Sequence, residues 1–292
     1  MKEFNADVLR KLGALSFAVA RMRARDGSGG RVLDRRGGRL EFADHRPYTA
    51  GDDVRDLDWA AEARTGRLYV KEYERRDEPD VEIVLDASAS MGFAARFETA
   101  AAIAWALAFV ALLGGAGGGT SQSVKIWLSA DGALRPSPRV RSRGGMRALW
   151  RFLSESNASG QTQFAASLAM LPAAPRGSRV LVVISDLLAA DDVRRALGRA
   201  SERGETVAVL HLVCASDWVP PQDAASVVDA ETGERVAIDA DSGDRAVRAA
   251  ADAEREWRAF AARHCIRYVR ADASVPAEDT VLGALRGGGV LR

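Results

Sequence analysis

The stretch VEIVLDASASMG (residues 81–92) runs from an apolar, strand-like segment directly into a series of small polar residues. Asp86, Ser88 and Ser90 occupy alternate positions there, and alternate positions of an extended segment project to one side. Three short side chains that carry oxygen therefore converge on one point. Such a group could hold a cation, cap a helix or activate a nucleophile.

Similar apolar runs alternate with helical segments along the rest of the chain. Runs typical of buried strands are VKIWLSA (124–130), RVLVVISD (179–186), TVAVLHLV (206–213) and CIRYVRA (265–271). Helical spacing of apolar residues predicts helices near 98–113, 147–156, 163–171, 191–204, 245–263 and 280–285. This alternation predicts an α/β fold with a doubly wound, mostly parallel sheet and helices on both faces, as in Rossmann-like proteins.

Two other regions have a different character. Residues 132–140 and VVDAETGERVAID (227–239) are typical of β-hairpins, the second turning at ETGE. Residues 1–24 carry apolar residues at helical spacing, and residues 39–80 are rich in charged and aromatic side chains with strand-like pieces such as RLYVKEY. We therefore predict a smaller, β-containing N-terminal subdomain over residues 1–80 and an α/β domain over residues 81–292.

Composition and charge exclude several classes of function. The chain has 292 residues, of which 47% are hydrophobic, and its 41 basic and 40 acidic residues give a net charge of +1. A nearly neutral chain gains no general attraction to nucleic acid or to an anionic membrane. The N-terminus does not have the pattern of a signal peptide. Two cysteines without a CxxC spacing fit a reducing compartment, and we expect a cytoplasmic protein.

One uncharged stretch, residues 99–124, challenges the expectation of a soluble chain. Its helix-forming part, residues 98–113, covers about 24 Å at 1.5 Å per residue. A membrane span needs roughly 20 strongly apolar residues to cross about 30 Å. We therefore predict a buried core helix and no membrane span.

A second predicted strand also ends beside an aspartate. In open parallel sheets, ligands bind beyond the carboxyl ends of the strands, where the strand order reverses. Asp86 ends one predicted strand and Asp186 follows another. Carboxylates and hydroxyls together suit a hard cation such as Mg²⁺, Mn²⁺ or Ca²⁺. The alternative is that Ser88 and Ser90 cap the following helix and that Asp186 is an ordinary loop residue.

A serine nucleophile is the weaker alternative for this segment. SASMG lacks the first glycine of the G-x-S-x-G nucleophile elbow. The three histidines of the chain are His45, His211 and His264. His211 lies inside a predicted buried strand, so we expect a core histidine with its hydrogen bonds satisfied rather than a catalytic base.

The DASAS stretch resembles the D-x-S-x-S signature of the von Willebrand factor A domain and its metal-ion-dependent adhesion site. That site adds a threonine from a second loop and an aspartate from a third, and SGQTQFAASL and VVISDLL supply them in the right order. The resemblance implies a metal site formed by Asp86, Ser88, Ser90, Thr162 and Asp186. It also implies that the metal captures an acidic side chain of a protein partner.

A second resemblance concerns residues 37–80, which are similar to the signature of a bacterial family called domain of unknown function 58. The likeness extends from about residue 30 to the end and includes the hairpin-like VVDAETGERVAID. Members of that family are commonly encoded beside MoxR-type AAA+ ATPases. The shared positions are Glu41, Phe42, Arg46, Tyr48, Gly51, Asp52, Asp53, Arg55, Asp58, Trp59, Ala63, Arg64, Val70 and Lys71.

These resemblances imply a non-enzymatic, metal-dependent adaptor that works with such an ATPase in protein remodelling or maturation. The sequence has no Walker A motif, so a partner must supply any nucleotide hydrolysis. Two alternatives stay open. The chain could be a structural subunit whose metal pins loops, or a metal-assisted hydrolase that uses the cation as a Lewis acid.

Overall fold

The computed structural model describes residues 4–18, 39–49, 51–53, 55, 57–76, 79–114, 121, 123–175, 178–188, 190–214, 217, 226–239 and 241–292. The chain divides into two compact units, one made of Met1–Val19 with Pro79–Arg292 and the other of Ala20–Glu78. The arginine-rich segment at residues 21–39 lies almost entirely outside the described residues.

The larger unit is built on a six-stranded, mostly parallel sheet. Its order is β10-β7-β6-β3-β4-β5, and β5 alone is antiparallel to its neighbour. The strands are β3 (Asp80–Asp86), β4 (Val124–Ala130), β5 (Ala133–Pro136), β6 (Arg179–Ser185), β7 (Thr206–Val213) and β10 (Arg267–Asp272). The predicted parallel strands and the first hairpin arm are thereby confirmed.

Both faces of this sheet are buried, because apolar residues occupy consecutive positions in the middle of its central strands, as at 83–85, 180–184 and 207–210. Ile83 and Leu85 of β3 belong to one apolar core, whereas Val84 between them belongs to the other. The first core also receives α1 (Ala6–Ala14), α3 (Arg96–Leu113) and α4 (Met146–Ser154). The second receives α5 (Phe164–Ala169), α6 (Ala190–Glu202) and α7 (Ser242–Arg263). The molecule is therefore a mixed α/β protein, as predicted.

The remaining elements are short or belong to the smaller unit. The predicted hairpin after residue 226 is formed by β8 (Ser226–Val228) and β9 (Arg235–Ala237). Near the C-terminus, α8 (Ala277–Asp279) continues into a π-helical turn at Thr280–Leu285. The first helix ends at Ala14, earlier than the apolar spacing up to residue 19 suggests, because the chain turns extended there and Phe17 pairs with Leu291.

The core helix α3 is the most apolar element. One helical stretch among the described residues, Ala89–Leu113, is long and apolar enough to cross a membrane by length and composition alone. Its most apolar window is 72% buried within the fold, and core helices of soluble proteins pass the same test. The burial agrees with the predicted core helix.

The smaller unit, considered by itself, is an antiparallel pair of β1 (Arg39–Pro47) and β2 (Tyr69–Arg76) joined through α2 (Trp59–Thr65). The aspartate-rich turn between them is held by ion pairs, since Arg46 binds both oxygens of Asp52 at 2.6 and 2.7 Å. Asp58 caps α2 by accepting from the amides of Ala60 and Ala61. One aspartate of this segment is therefore ion-paired, and another caps a helix.

Candidate metal centre

The candidate site lies where β3 and β6 end side by side. In the sheet, β3 lies between β4 and β6. The chain first continues from β3 to β4 and later returns to β6 on the opposite edge of β3, so the strand order reverses between β3 and β6. Asp86 is the last residue of β3, and Ser185 is the last residue of β6. The Ser185 hydroxyl donates to Asp86 Oδ2 at 2.7 Å. The two strand ends thus meet at the switch point, where such sheets bind ligands.

The loop after β3 folds its polar side chains back toward Asp86. The Ser88 amide donates to Asp86 Oδ1 at 3.0 Å, and the hydroxyl oxygens of Ser88 and Ser90 lie 3.1 Å apart. All three residues are buried. The spacing therefore brings the three side chains together, as the alternation in the sequence predicts.

The helix-capping alternative for the serines is wrong. Ser88 precedes a 3₁₀ helix, Ala89–Ala95, but its side chain makes no capping hydrogen bond. The following helix α3 begins after Ala95, which likewise provides no side-chain cap. The hydroxyls therefore remain directed to each other and to the carboxylates.

The loop that carries Thr162 runs alongside the loop after β3. The Ala89 amide donates to the Gly160 carbonyl at 2.9 Å, and the Ser159 amide donates to the Ala87 carbonyl at 2.8 Å. Gly160 has a φ of +82°, and a Cβ there would lie 2.2 Å from a carboxylate oxygen of Asp131. Only glycine fits this conformation, which fixes the path of the loop.

Thr162 itself has an unexpected partner. Its amide donates to Glu231 Oε2 at 2.8 Å, and its hydroxyl donates to the other oxygen of the same carboxylate. Glu231 lies in the turn between β8 and β9, far from Thr162 in the sequence. No sequence pattern predicted this residue; the only signal was that the turn of the hairpin carries a glutamate.

A buried arginine is the second residue of the site that no sequence pattern predicted. Arg96, the first residue of α3, is 3% exposed and donates to Asp186 Oδ2 at 2.8 Å. It also donates to the Ser90 carbonyl at 3.2 Å and binds the Asp217 carboxylate. Asp186 is thus a buried, paired carboxylate rather than an ordinary loop residue.

The electrostatics of the site favour an additional cation. Burial, together with the neighbouring charge of Asp186, raises the pKa of Asp86 to about 6. Burial also raises the pKa of Asp186, against the hydrogen bond from Ser90 and the charge of Arg96. Three carboxylates, those of Asp86, Asp186 and Asp217, thus lie around the buried guanidinium of Arg96. A cation would reduce this excess of negative charge.

The donor atoms also fit a hard divalent cation. Asp86, Ser88, Ser90 and Asp186 offer only oxygen, and Mg²⁺ binds proteins through few carboxylates while keeping several waters. Within the described part of the chain, no three His, Cys, Asp or Glu side chains form a metal-binding group. The residues that could hold such an ion are two carboxylates and two hydroxyls, to which the resemblance adds Thr162 on the neighbouring loop.

The backbone and surface around the site are unusual as well. Ala94, Ala95 and Leu187 adopt left-handed φ values of 51°, 56° and 56°, and such strained conformations cluster at functional sites. Phe93 and Leu188 expose 54% and 63% of their surface. These two apolar side chains belong to the loops that carry Ser90 and Asp186.

The prediction for His211 is confirmed. Its Nδ1 lies 2.6 Å from the Tyr268 hydroxyl, and burial lowers the pKa of His211 to about 4. The ring is therefore a neutral part of the core at physiological pH, with its hydrogen bond satisfied.

Several known proteins are similar to this chain in sequence or in structure. Uncharacterized protein Rv1480 of Mycobacterium tuberculosis (strain ATCC 25618 / H37Rv) and Uncharacterized protein Mb1516 of Mycobacterium bovis are each 29% identical over 201 residues. The alignments cover 66% of this chain and 61% of each relative, so the chain spans about three fifths of their length. Among solved structures, the conserved hypothetical protein BatB from Bacteroides thetaiotaomicron aligns with a TM-score of 0.44 and 19% identity, over 72% of this chain and 98% of that chain.

The family model described as "Protein of unknown function DUF58" matches residues 44–260, about three quarters of the chain. This match includes most of the signature segment and both strand ends of the candidate site. The chain therefore belongs to the DUF58 family, as its sequence signature predicts.

Proposed function

We propose that this chain is a non-enzymatic protein-binding module that acts through a divalent cation, with Mg²⁺ as the first candidate. Asp86, Ser88, Ser90, Thr162 and Asp186 would hold the ion, in a fold of the von Willebrand factor A type. The observation that carries the proposal is the pair of buried carboxylates beside two hydroxyls at the switch point of the sheet. A cation there would offset the burial and the repulsion from Asp186 that together raise the pKa of Asp86.

The partner that suits such a site offers an acidic side chain. A divalent ion held by neutral hydroxyls and few carboxylates keeps positions for further oxygen ligands. The exposed side chains of Phe93 and Leu188 would add apolar contact around the incoming carboxylate. The resemblance to DUF58 proteins suggests a MoxR-type AAA+ ATPase, or a client of that ATPase, as the partner.

The first experiment is a calorimetric titration of Mg²⁺ and Ca²⁺ into the wild type, Asp86→Ala and the matched control Asp252→Ala. Asp252 is an exposed residue of α7 paired with Arg255, so its loss leaves the candidate site intact. We expect saturable binding in the wild type and the control, and none in Asp86→Ala.

The second step measures binding of the purified MoxR-type ATPase with Mg²⁺ and with excess EDTA. We expect binding that needs both the ion and Asp86. Association that persists in EDTA and in Asp86→Ala would show that the module binds without the site.

A structural role for the ion is the second candidate, because loop-to-loop hydrogen bonds already join the site. Two backbone hydrogen bonds join the two loops, one between Ala89 and Gly160 and one between Ser159 and Ala87. A cation could therefore act only by holding these loops in place. Mass action gives about 2.7 kcal/mol of stabilisation at 100 times the dissociation constant. A rise in melting temperature with Mg²⁺ and an unchanged affinity for the partner would favour this candidate.

A further inference from the structure

The contact between Glu231 and Thr162 joins two parts of the α/β unit that are 69 positions apart in the sequence. Both oxygens of the Glu231 carboxylate are used, one by the Thr162 amide at 2.8 Å and one by the Thr162 hydroxyl. Thr162 is one of the residues that the resemblance assigns to the cation site. A carboxylate bound to it therefore takes the position that the proposed function gives to the acidic side chain of a partner.

The turn that carries Glu231 is held by the side chain of Asp229. Asp229 Oδ1 accepts from the Glu231 amide at 2.9 Å and from the amide and hydroxyl of Thr232 at 2.7 and 2.9 Å. Gly233, with a φ of +71°, completes the turn before β9. These hydrogen bonds hold the turn without using the Glu231 carboxylate, so the carboxylate can bind Thr162.

The same hairpin is weakly anchored in other respects. Its strands have three residues each, and Val228 and Val236 expose 57% and 51% of their surface. A short two-stranded hairpin is marginally stable by itself. A contact through one carboxylate on such an element can be released without disturbing the core.

We propose that Glu231 is an internal ligand that closes the candidate cation site in cis and competes with the acidic side chain of a partner. This inference rests on the proposed function, since it assigns the regulation of that same site. With an ion bound, Glu231 would supply one carboxylate oxygen to it. A partner gains access when its own acidic side chain displaces Glu231 and the β8–β9 hairpin moves away.

The test uses Mn²⁺ as the probe, because it is paramagnetic and takes the same oxygen ligands as Mg²⁺. The variants are Glu231→Ala, Glu231→Gln and the matched control Glu234→Ala. Glu234 lies in the same hairpin, is exposed, and its side chain forms no hydrogen bond or ion pair in the described part of the chain. Circular dichroism of each variant verifies the fold.

Two quantities are measured for each Mn²⁺-loaded protein, namely the Mn²⁺ dissociation constant and the relaxation of water protons and of ¹³C-acetate. We expect both Glu231 variants to bind Mn²⁺ about 10-fold more weakly. In Glu231→Ala, water and acetate reach the ion, so their relaxation rates rise above those of the wild type. Glu234→Ala should match the wild type in both measurements.

Failure of this inference differs from failure of the proposed function. If the wild type binds Mn²⁺ through Asp86 but Glu231→Ala shows wild-type affinity and relaxation, Glu231 is no ligand and the inference alone is overturned. If the wild type shows no Asp86-dependent Mn²⁺ binding, the proposed function fails and the inference fails with it.

Discussion

Single residues decide whether the loops of the candidate site can come together. Gly160 holds a left-handed backbone next to Asp131, whose carboxylate accepts from the Gln161 amide at 2.7 Å. A Cβ at residue 160 would lie 2.2 Å from that carboxylate, far inside van der Waals contact. Since Thr162 follows two residues later, its position depends on the conformation of Gly160.

We expect Gly160→Ala to destabilise the protein by about 1–3 kcal/mol, because the substitution adds both strain and a clash. Urea unfolding measures the loss, and hydrogen exchange of the Gln161 amide reports the contact with Asp131. Gly13→Ala is the control, since a Cβ at this helical position meets nothing within 4 Å. Unchanged stability and exchange in Gly160→Ala would show that the loop adapts without cost.

Four residues of the candidate site were predicted from the alternating polar residues and from the strand ends, and Thr162 was added only by the resemblance to the von Willebrand factor A domain. The structure brings together Asp86, Ser88 and Ser90 and places Asp186 on the neighbouring strand end. Arg96 and Glu231 were not predicted, because neither belongs to a motif. Their roles depend on contacts across 90 and 69 positions of sequence, which no local pattern encodes.

At the scale of secondary structure, a buried ion network crosses the beginnings of the parallel strands, opposite the candidate site. Arg179 at the start of β6 binds Glu82 of β3 at 3.0 Å and both oxygens of Glu205 at 2.9 Å. All three side chains are buried. The network ties β3 and β6 to the segment that enters β7.

We expect Arg179→Met to lower the free energy of unfolding by up to about 3–5 kcal/mol, since it removes the buried guanidinium that pairs with two buried carboxylates. Glu82 and Glu205 then keep the more exposed Arg139 and Arg203 as ion-pair partners. The measurement is urea denaturation at pH 7. The control Arg255→Ala removes an exposed pair with Asp252 and should cause no resolvable change. A loss in Arg179→Met no larger than in the control would mean that water replaces the arginine.

At the scale of the whole α/β unit, residues near the two ends of the chain pair with each other. The amide of Ser16 donates to the carbonyl of Arg292 at 3.1 Å, and the reverse bond measures 2.9 Å. Phe17 and Leu291 form a bridge between these segments and are buried in the same core as α3. The pairing closes the unit over a separation of 276 residues.

We expect Leu291→Ala and Phe17→Ala each to cost about 2–5 kcal/mol through lost burial and a residual cavity. Both side chains lie in one packed cluster. The double variant should therefore lose less stability than the sum of the two single losses, by about 0.5 kcal/mol or more. Chemical unfolding followed by circular dichroism measures all three. Strict additivity would show that the two side chains act independently.

The sequence by itself determined the order of strands and helices, the mostly parallel sheet, the core helix and the membership in the DUF58 family. These features follow from local periodicity and from motifs that a reader can recognise along the chain. The limits of the first helix were misjudged, because the pairing of Phe17 with Leu291 overrides the apolar spacing after Ala14.

Only the tertiary structure decided which charges meet at the strand ends. It placed Arg96 between Asp186 and Asp217, and it brought Glu231 onto Thr162. The physical reason is that a charge becomes stable in a buried site only through partners supplied by other elements. Those partners come from distant segments, so folding, and not local sequence, selects them.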